Sequence, residues 1–111
     1  MPTSHELYDE ADRLKDQGKL DEAAAKMLEI TVQDPPFALA HAALAVILGR
    51  LGRHEDAIEH GRKVCELQPD DAFSYTALSV TYQRAYAGTG NMTYIRDAED
   101  AMAKSRTVQG H

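Results

Sequence analysis

The sequence predicts an all-α repeat protein, a stack of helix-turn-helix pairs, and three observations carry that prediction. Pro35 and Pro69, Gly18 and Gly52, and Ala23 and Ala57 are each separated by 34 residues, so three pairs share one register. A fixed period of this length marks units that bury their apolar faces only by stacking on one another. Apolar residues recur at helical spacing within each period, as in Leu7, Ala11 and Leu14, which puts them on one stripe of a helix. Glycine or proline follows most such stripes, where a left-handed turn or a missing amide donor ends a helix.

Taken in order, Thr3 and Glu6 have the spacing of a capping box, so the first helix starts near Ser4 and stops at Gly18. Asp21 and Glu22 open the next helix, where acids favour the amino-terminal end of the dipole. Its apolar face is Leu20, Ala23, Met27 and Ile30, and Asp34, Pro35 and Pro36 end it. The third helix carries Leu39, Leu44, Ile47, Leu48 and Leu51 among six further apolar residues, the pattern of a helix buried on most sides. Gly52 breaks it; Ala57, Ile58, Val64 and Leu67 line the fourth helix as far as Pro69, and Asp70 or Asp71 caps the fifth. There Phe73, Tyr75, Leu78 and Tyr82 keep the register, which then fails: Asn91 stands where a small residue belongs, and Ala98 is the match seven residues later. The expected site of this insertion is a loop over residues 85–93, where AYAGTGNMT gathers glycine, threonine and asparagine. The last helix is expected from about Tyr94 to Val108.

Composition narrows the function. The chain has 111 residues, enough for one domain, and 43% apolar content, enough for a packed core. A net charge of −6 argues against binding to a phosphate backbone, which needs clustered lysine and arginine, so no nucleic-acid partner is expected. That charge is graded: residues 4–37 carry nine acids and four bases, residues 38–71 six and four, residues 72–111 three and four. No apolar run approaches the roughly 20 residues that span a bilayer, and the start MPTSHELYDE is acidic. The expectation is a soluble, cytoplasmic chain with no membrane insertion. Cys65 is the only cysteine, so an internal disulfide is impossible and the thiol is expected to be inert packing.

The pattern of large, small, glycine and proline positions resembles the tetratricopeptide repeat (TPR) family over nearly the whole chain. The first repeat offers Leu7, Ala11, Leu14, Gly18, Ala23, Met27, Ile30 and Pro35; the second Leu44, Ala45, Leu48, Gly52, Ala57, Val64 and Pro69; the third Tyr75, Leu78, Ser79 and Tyr82, then Ala98, Met102 and Ser105. Glu10, His41 and Gly61 depart from the family pattern, and no proline follows Ser105. The resemblance implies a right-handed α-solenoid with repeats at about 4–37, 38–71 and 72–108, the third holding the insertion, in a single domain. It also implies a non-enzymatic scaffold whose concave groove is lined by the first helix of each pair. The family's groove positions fall on His5, Tyr8, Asp12 and Lys15, on Leu39, Ala42, Val46 and Gly49, and on Phe73, Thr76, Val80 and Gln83. Tyr8, Asp12, Leu39, Ala42, Val46, Phe73, Thr76 and Val80 are therefore the expected partner-binding residues. Co-chaperone members clamp a terminal carboxylate with lysine and asparagine; this sequence has no such set, so acidic chaperone tails are not expected as ligands.

Other candidate chemistry is thin. His54, Glu55 and His60 invite comparison with a zinc motif, but histidines six apart face opposite sides of a helix. His41 takes an aromatic position and is expected in the core. The stretch GTGN lacks the lysine of a phosphate loop. No catalytic group, metal ligand or cofactor is assigned. Tyr82, Tyr86 and Tyr94 flank the insertion, with Tyr82 expected in the core and the other two pinning the loop. TPR arrays commonly end in an extra helix, and with Gln109–His111 alone after the last pair, Ile95, Ala98 and Met102 are expected to be poorly covered. Leu39, Val46, Phe73 and Val80 would form an apolar patch of the kind that marks an interface. The expected partner is a protein helix or peptide in that groove or, in the alternative reading, another copy of the chain in a homo-oligomeric structural assembly.

Overall fold

A computed structural model describes residues 2–110. It contains six helices: α1 (Ser4–Asp16), α2 (Leu20–Gln33), α3 (Ala38–Arg50), α4 (His54–Leu67), α5 (Ala72–Thr89) and α6 (Thr93–Gln109). Each helix packs on the next in chain order. Helix α3 also reaches α5, whereas α4 and α6 have no comparable packing. The second and third pairs are therefore tied together on the α3–α5 side.

Local chemistry explains the boundaries. The Thr3 hydroxyl accepts from the Glu6 amide at 3.1 Å while the Glu6 carboxylate accepts from the Thr3 amide at 3.2 Å, completing the capping box. Gly18 and Gly52 turn the chain between the helices of the first two pairs with φ of 78° and 81°, a conformation that costs a residue with a Cβ more than it costs glycine. Of the two candidate caps before α5, Asp71 is the one that accepts from the Phe73 amide, at 3.1 Å.

The core forms at the small positions. Ala11, Ala23, Ala40 and Ala57 are fully buried, and Met27, Ile30, Leu44 and Ile47 fill the space around them. In the third pair Ser79 is fully buried and its hydroxyl donates to the Ala98 carbonyl at 2.9 Å, a direct sign that α5 and α6 pass close to each other. Two apolar clusters result, one ending on α4 at Ala57 and the other beginning there at Ile58 and Cys65.

The insertion differs from the expected loop. Helix α5 has 18 residues against 13 in α1 and α3, and α6 has 17 against 14 in α2 and α4. The extra residues lengthen the last hairpin, and only Gly90, Asn91 and Met92 lie between its helices. Helix continues because Ala85 is buried and the Thr89 hydroxyl folds back on the Ala85 carbonyl at 2.7 Å. Gly90, with φ of 73°, then ends it. Gly88 occupies the last turn of α5, where the extension lies over the start of α4: a Cβ there would overlap the imidazole of His54.

That contact predicts non-additivity. Gly88→Ala should raise stability by about 1 kcal/mol through helix propensity in a His54→Ala background. In the wild type the collision should cancel the gain. Chemical denaturation of the four-member cycle measures the coupling; additive changes would contradict the docking of α5 on His54.

Candidate interaction groove

The inner surfaces of α3 and α5 face each other across α4. On α3, Leu39, Ala42, Val46 and Gly49 share one stripe, and on α5 Phe73, Thr76, Val80 and Gln83 repeat it. Leu39 is 52% exposed, Val46 40%, Phe73 76% and Val80 43%. Between the two stripes opens a pocket of about 280 Å³, lined by α3 through Ala42, Ala45 and Val46, by α4 through Gly61 and Val64, and by α5 from Phe73 to Arg84.

Gly61 lines the floor of the pocket. The corresponding places in the other repeats carry Met27, fully buried, and Met102. Glycine there removes a side chain from the middle of α4, at the seam between the two apolar clusters. Leu78 leans part of the way in, so that a Cβ on Gly61 would meet its Cδ1 at 3.0 Å. The remaining space opens to the surface between α3 and α5. The hydroxyls in the lining are occupied: Thr76 bonds the Ala72 carbonyl at 3.3 Å and Ser105 at 2.9 Å, Thr81 the Ala77 carbonyl at 3.1 Å, and Ser74 the Asp71 carboxylate at 3.1 Å. Apart from Arg84 at one end, the pocket thus presents carbon and hydroxyls already bonded within the chain.

Of the eight residues expected in the groove, Ala42, Val46, Phe73, Thr76 and Val80 line this one pocket. Leu39 stands exposed a turn before Ala42. Tyr8 and Asp12 do not line it. Tyr8 is half-buried against Phe37, with ring centroids 6.2 Å apart, and Asp12 pairs with Lys15 at 3.1 Å within α1. Gly61 and Arg84 were legible only as a departure from the repeat pattern and as a charge beside the stripe.

The remaining candidates are occupied by packing. His41, 6% exposed, joins the Pro35 carbonyl through Nε2 at 2.8 Å and His60 through Nδ1 at 3.0 Å. A carbonyl only accepts, so His41 Nε2 carries hydrogen and the neutral pair has His60 Nδ1 donating to His41 Nδ1. Burial, and then the neighbouring His41, hold the His60 pKa below its ordinary value. His54, on the other side of α4, rests on Gly88. Cys65 is buried, and burial, with Asp71 and Glu66 adding to it, pushes its thiol up to about 11, far from the thiolate that reacts. Among the described residues no group of three or more His, Cys, Asp or Glu is placed to hold a metal. Tyr82 is buried and accepts from Arg62 at 2.9 Å; Tyr94 packs on its ring at 6.2 Å, and Tyr86 is 36% exposed. Ala98, expected to be poorly covered, is buried, while Ile95 and Met102 are half-buried in a depression of about 600 Å³ whose walls also carry Gln83, Glu99 and Arg106.

A family model described as tetratricopeptide repeat matches residues 8–72. The chain belongs to the TPR family. No curated protein matches it by sequence. Among solved structures it is similar to MamA MSR-1 C2, with a TM-score of 0.78 at 18% identity, and to MamA 41-end from Desulfovibrio magneticus RS-1, with 0.76 at 19%. Each match covers 97% of this TPR chain but only 58% and 57% of the respective MamA chains. The first TPR of Spaghetti (RPAP3) bound to the HSP90 peptide SRMEEVD aligns over 97% of this chain and 94% of its own, with a TM-score of 0.63 at 16% identity. At these identities the likeness is one of fold: a helical repeat solenoid. No helix of the described residues is long and apolar enough to cross a membrane.

The histidine pair predicts a pH dependence. Because the folded state holds the His60 pKa below the ordinary 6.5, the unfolded chain takes up a proton first as pH falls. Stability should therefore decline once pH drops below about 6.5 and level off under the folded value. Thermal melts from pH 7.5 to 5 should show the decline, and His60→Asn should reduce its slope; an unchanged slope would contradict this.

Proposed function

We propose that this TPR domain is a non-enzymatic interaction module that takes a helix or peptide of a partner protein into the α3–α5 groove. The observation that carries this reading is the 280 Å³ apolar pocket, flanked by the exposed Leu39, Val46, Phe73 and Val80. Exposed apolar surface gathered around a pocket is the usual mark of an interface. A TPR structure of similar fold carries an HSP90 peptide, which supports peptide capture as a mode for this architecture. The specific occupant differs, because this groove is walled by carbon where a carboxylate clamp would need several cations.

Burial drives such binding. Covering a side chain as exposed as Phe73 is worth about 1.5–3 kcal/mol, more than an exposed ion pair on the rim supplies. The lone cysteine, unpaired and buried, suits a reducing compartment such as the cytoplasm. Self-assembly through the same groove is the competing occupancy.

Phe73→Glu should leave helicity by circular dichroism unchanged and cut partner capture from a native extract at least about tenfold. Light scattering of the wild type at two concentrations separates a free groove, which gives a monomer at both, from one filled by another copy. Capture unchanged by Phe73→Glu would contradict the groove as the binding surface.

A further inference from the structure

The groove has a charge as well as a shape. The chain carries 18 aspartates and glutamates and a net charge of −6, yet neither α3 nor α5 contains a single one of those acids. Their charged residues are Arg50 and Arg84, and Arg84 is the one charged side chain in the pocket lining. Its stem lies against α3, so that a Cβ built on Gly49 would meet Arg84 Cδ at 3.8 Å. Arg84 is exposed, and among the described residues no carboxylate lies within 4.0 Å of it. Asp71, at the Phe73 end of α5, is already occupied by the Phe73 amide and the Ser74 hydroxyl. The groove is thus apolar in its middle and positive at one end.

We propose that the segment it takes is acidic as well as apolar: a partner peptide that seats one large apolar side chain over Gly61 and sets an aspartate or glutamate against Arg84. The inference rests on the interaction-groove reading above and names the chemistry of its ligand. An apolar cavity of about 150 Å³ is enough for benzene, so 280 Å³ takes one branched or aromatic side chain. The lining hydroxyls are satisfied internally, and a polar anchor would lose its hydrogen bonds to water without replacement. Val80 and Arg84 are four apart on α5 and so neighbours on one face, about 6 Å between Cβ atoms. The carboxylate therefore belongs beside the anchor or one helical turn from it. The exposed guanidinium attracts an acid and rejects a base across the open end of the groove, an effect that salt weakens. A single arginine does not make a clamp for a chain terminus, and the acid is a side chain within the segment.

A displayed library of random peptides, selected on the full chain, tests this. Wild type should enrich peptides with a large apolar residue and Asp or Glu within one helical turn of it. Arg84→Glu, an exposed change that should leave helicity intact, should lose that preference, turn toward Lys or Arg, and bind individual wild-type peptides at least about tenfold more weakly. Gly61→Leu should stop enriching the apolar anchor. Peptides that bind wild type and Arg84→Glu equally, or that show no acidic preference, would overturn this inference and leave the groove reading standing. A wild type that enriches nothing would overturn both; if it also scatters as a dimer, the groove belongs to a second copy.

Discussion

The structure depends on how closely paired helices can approach, and that distance is set by side chains no larger than a methyl or hydroxymethyl group. Ala11, Ala23, Ala57 and Ser79 are fully buried where a larger residue would push the helices apart. Close-packed interiors do not absorb an added methylene without strain, so these positions fix the geometry of each pair. Large residues then fill the space that the approach leaves, as Met27, Ile30, Leu44 and Ile47 do between the first two pairs. The same rule makes an omission consequential. At Gly61 the large residue of the other repeats is missing, Leu78 leans into its place, and a pocket lined by α3, α4 and α5 lies beside it.

Much of the fold was legible in the sequence because packing dictates it. The 34-residue register, the capping box at Thr3 and Glu6, and the glycines at 18 and 52 each answer to a local or nearest-neighbour constraint. The insertion was not legible in its form. Glycine and threonine signal a loop when read alone, yet Thr89 satisfies its own hydroxyl inside the helix and Gly88 is required by His54, thirty-four positions away. Such a contact is tertiary and leaves no local trace. The stripe on α3 and α5 could be read from helical spacing, and five of its residues line the pocket, whereas Tyr8 packs on Phe37 and Asp12 pairs with Lys15 outside it. Gly61 stood in the sequence as a departure from the pattern; that it lines a pocket follows only once Leu78 and Val64 are seen around it.

Function enters where packing stops dictating. A solenoid of this kind is compatible with many partners, and the fold by itself selects none. What is particular to this chain is the combination of a hole in the groove floor, exposed carbon around it, and walls that carry arginine but no acid in an otherwise acidic protein. The histidine pair of His41 and His60 stabilises the other face of the same repeat, tying α4 to α3 and α3 to the preceding Pro35 carbonyl. The second repeat therefore carries both this hydrogen-bonded anchor and the pocket.

The central claim is that an apolar pocket, floored by Gly61, opens between α3 and α5. Methyl spectra of the protein under dissolved xenon, which enters apolar cavities and forms no hydrogen bonds, test it most directly. The account predicts shifts confined to Val46, Val64, Leu78 and Val80, absent from the closely packed Ile30 and Leu44, and erased by Gly61→Leu. Shifts spread evenly over the core, or none at the four lining residues, would contradict it.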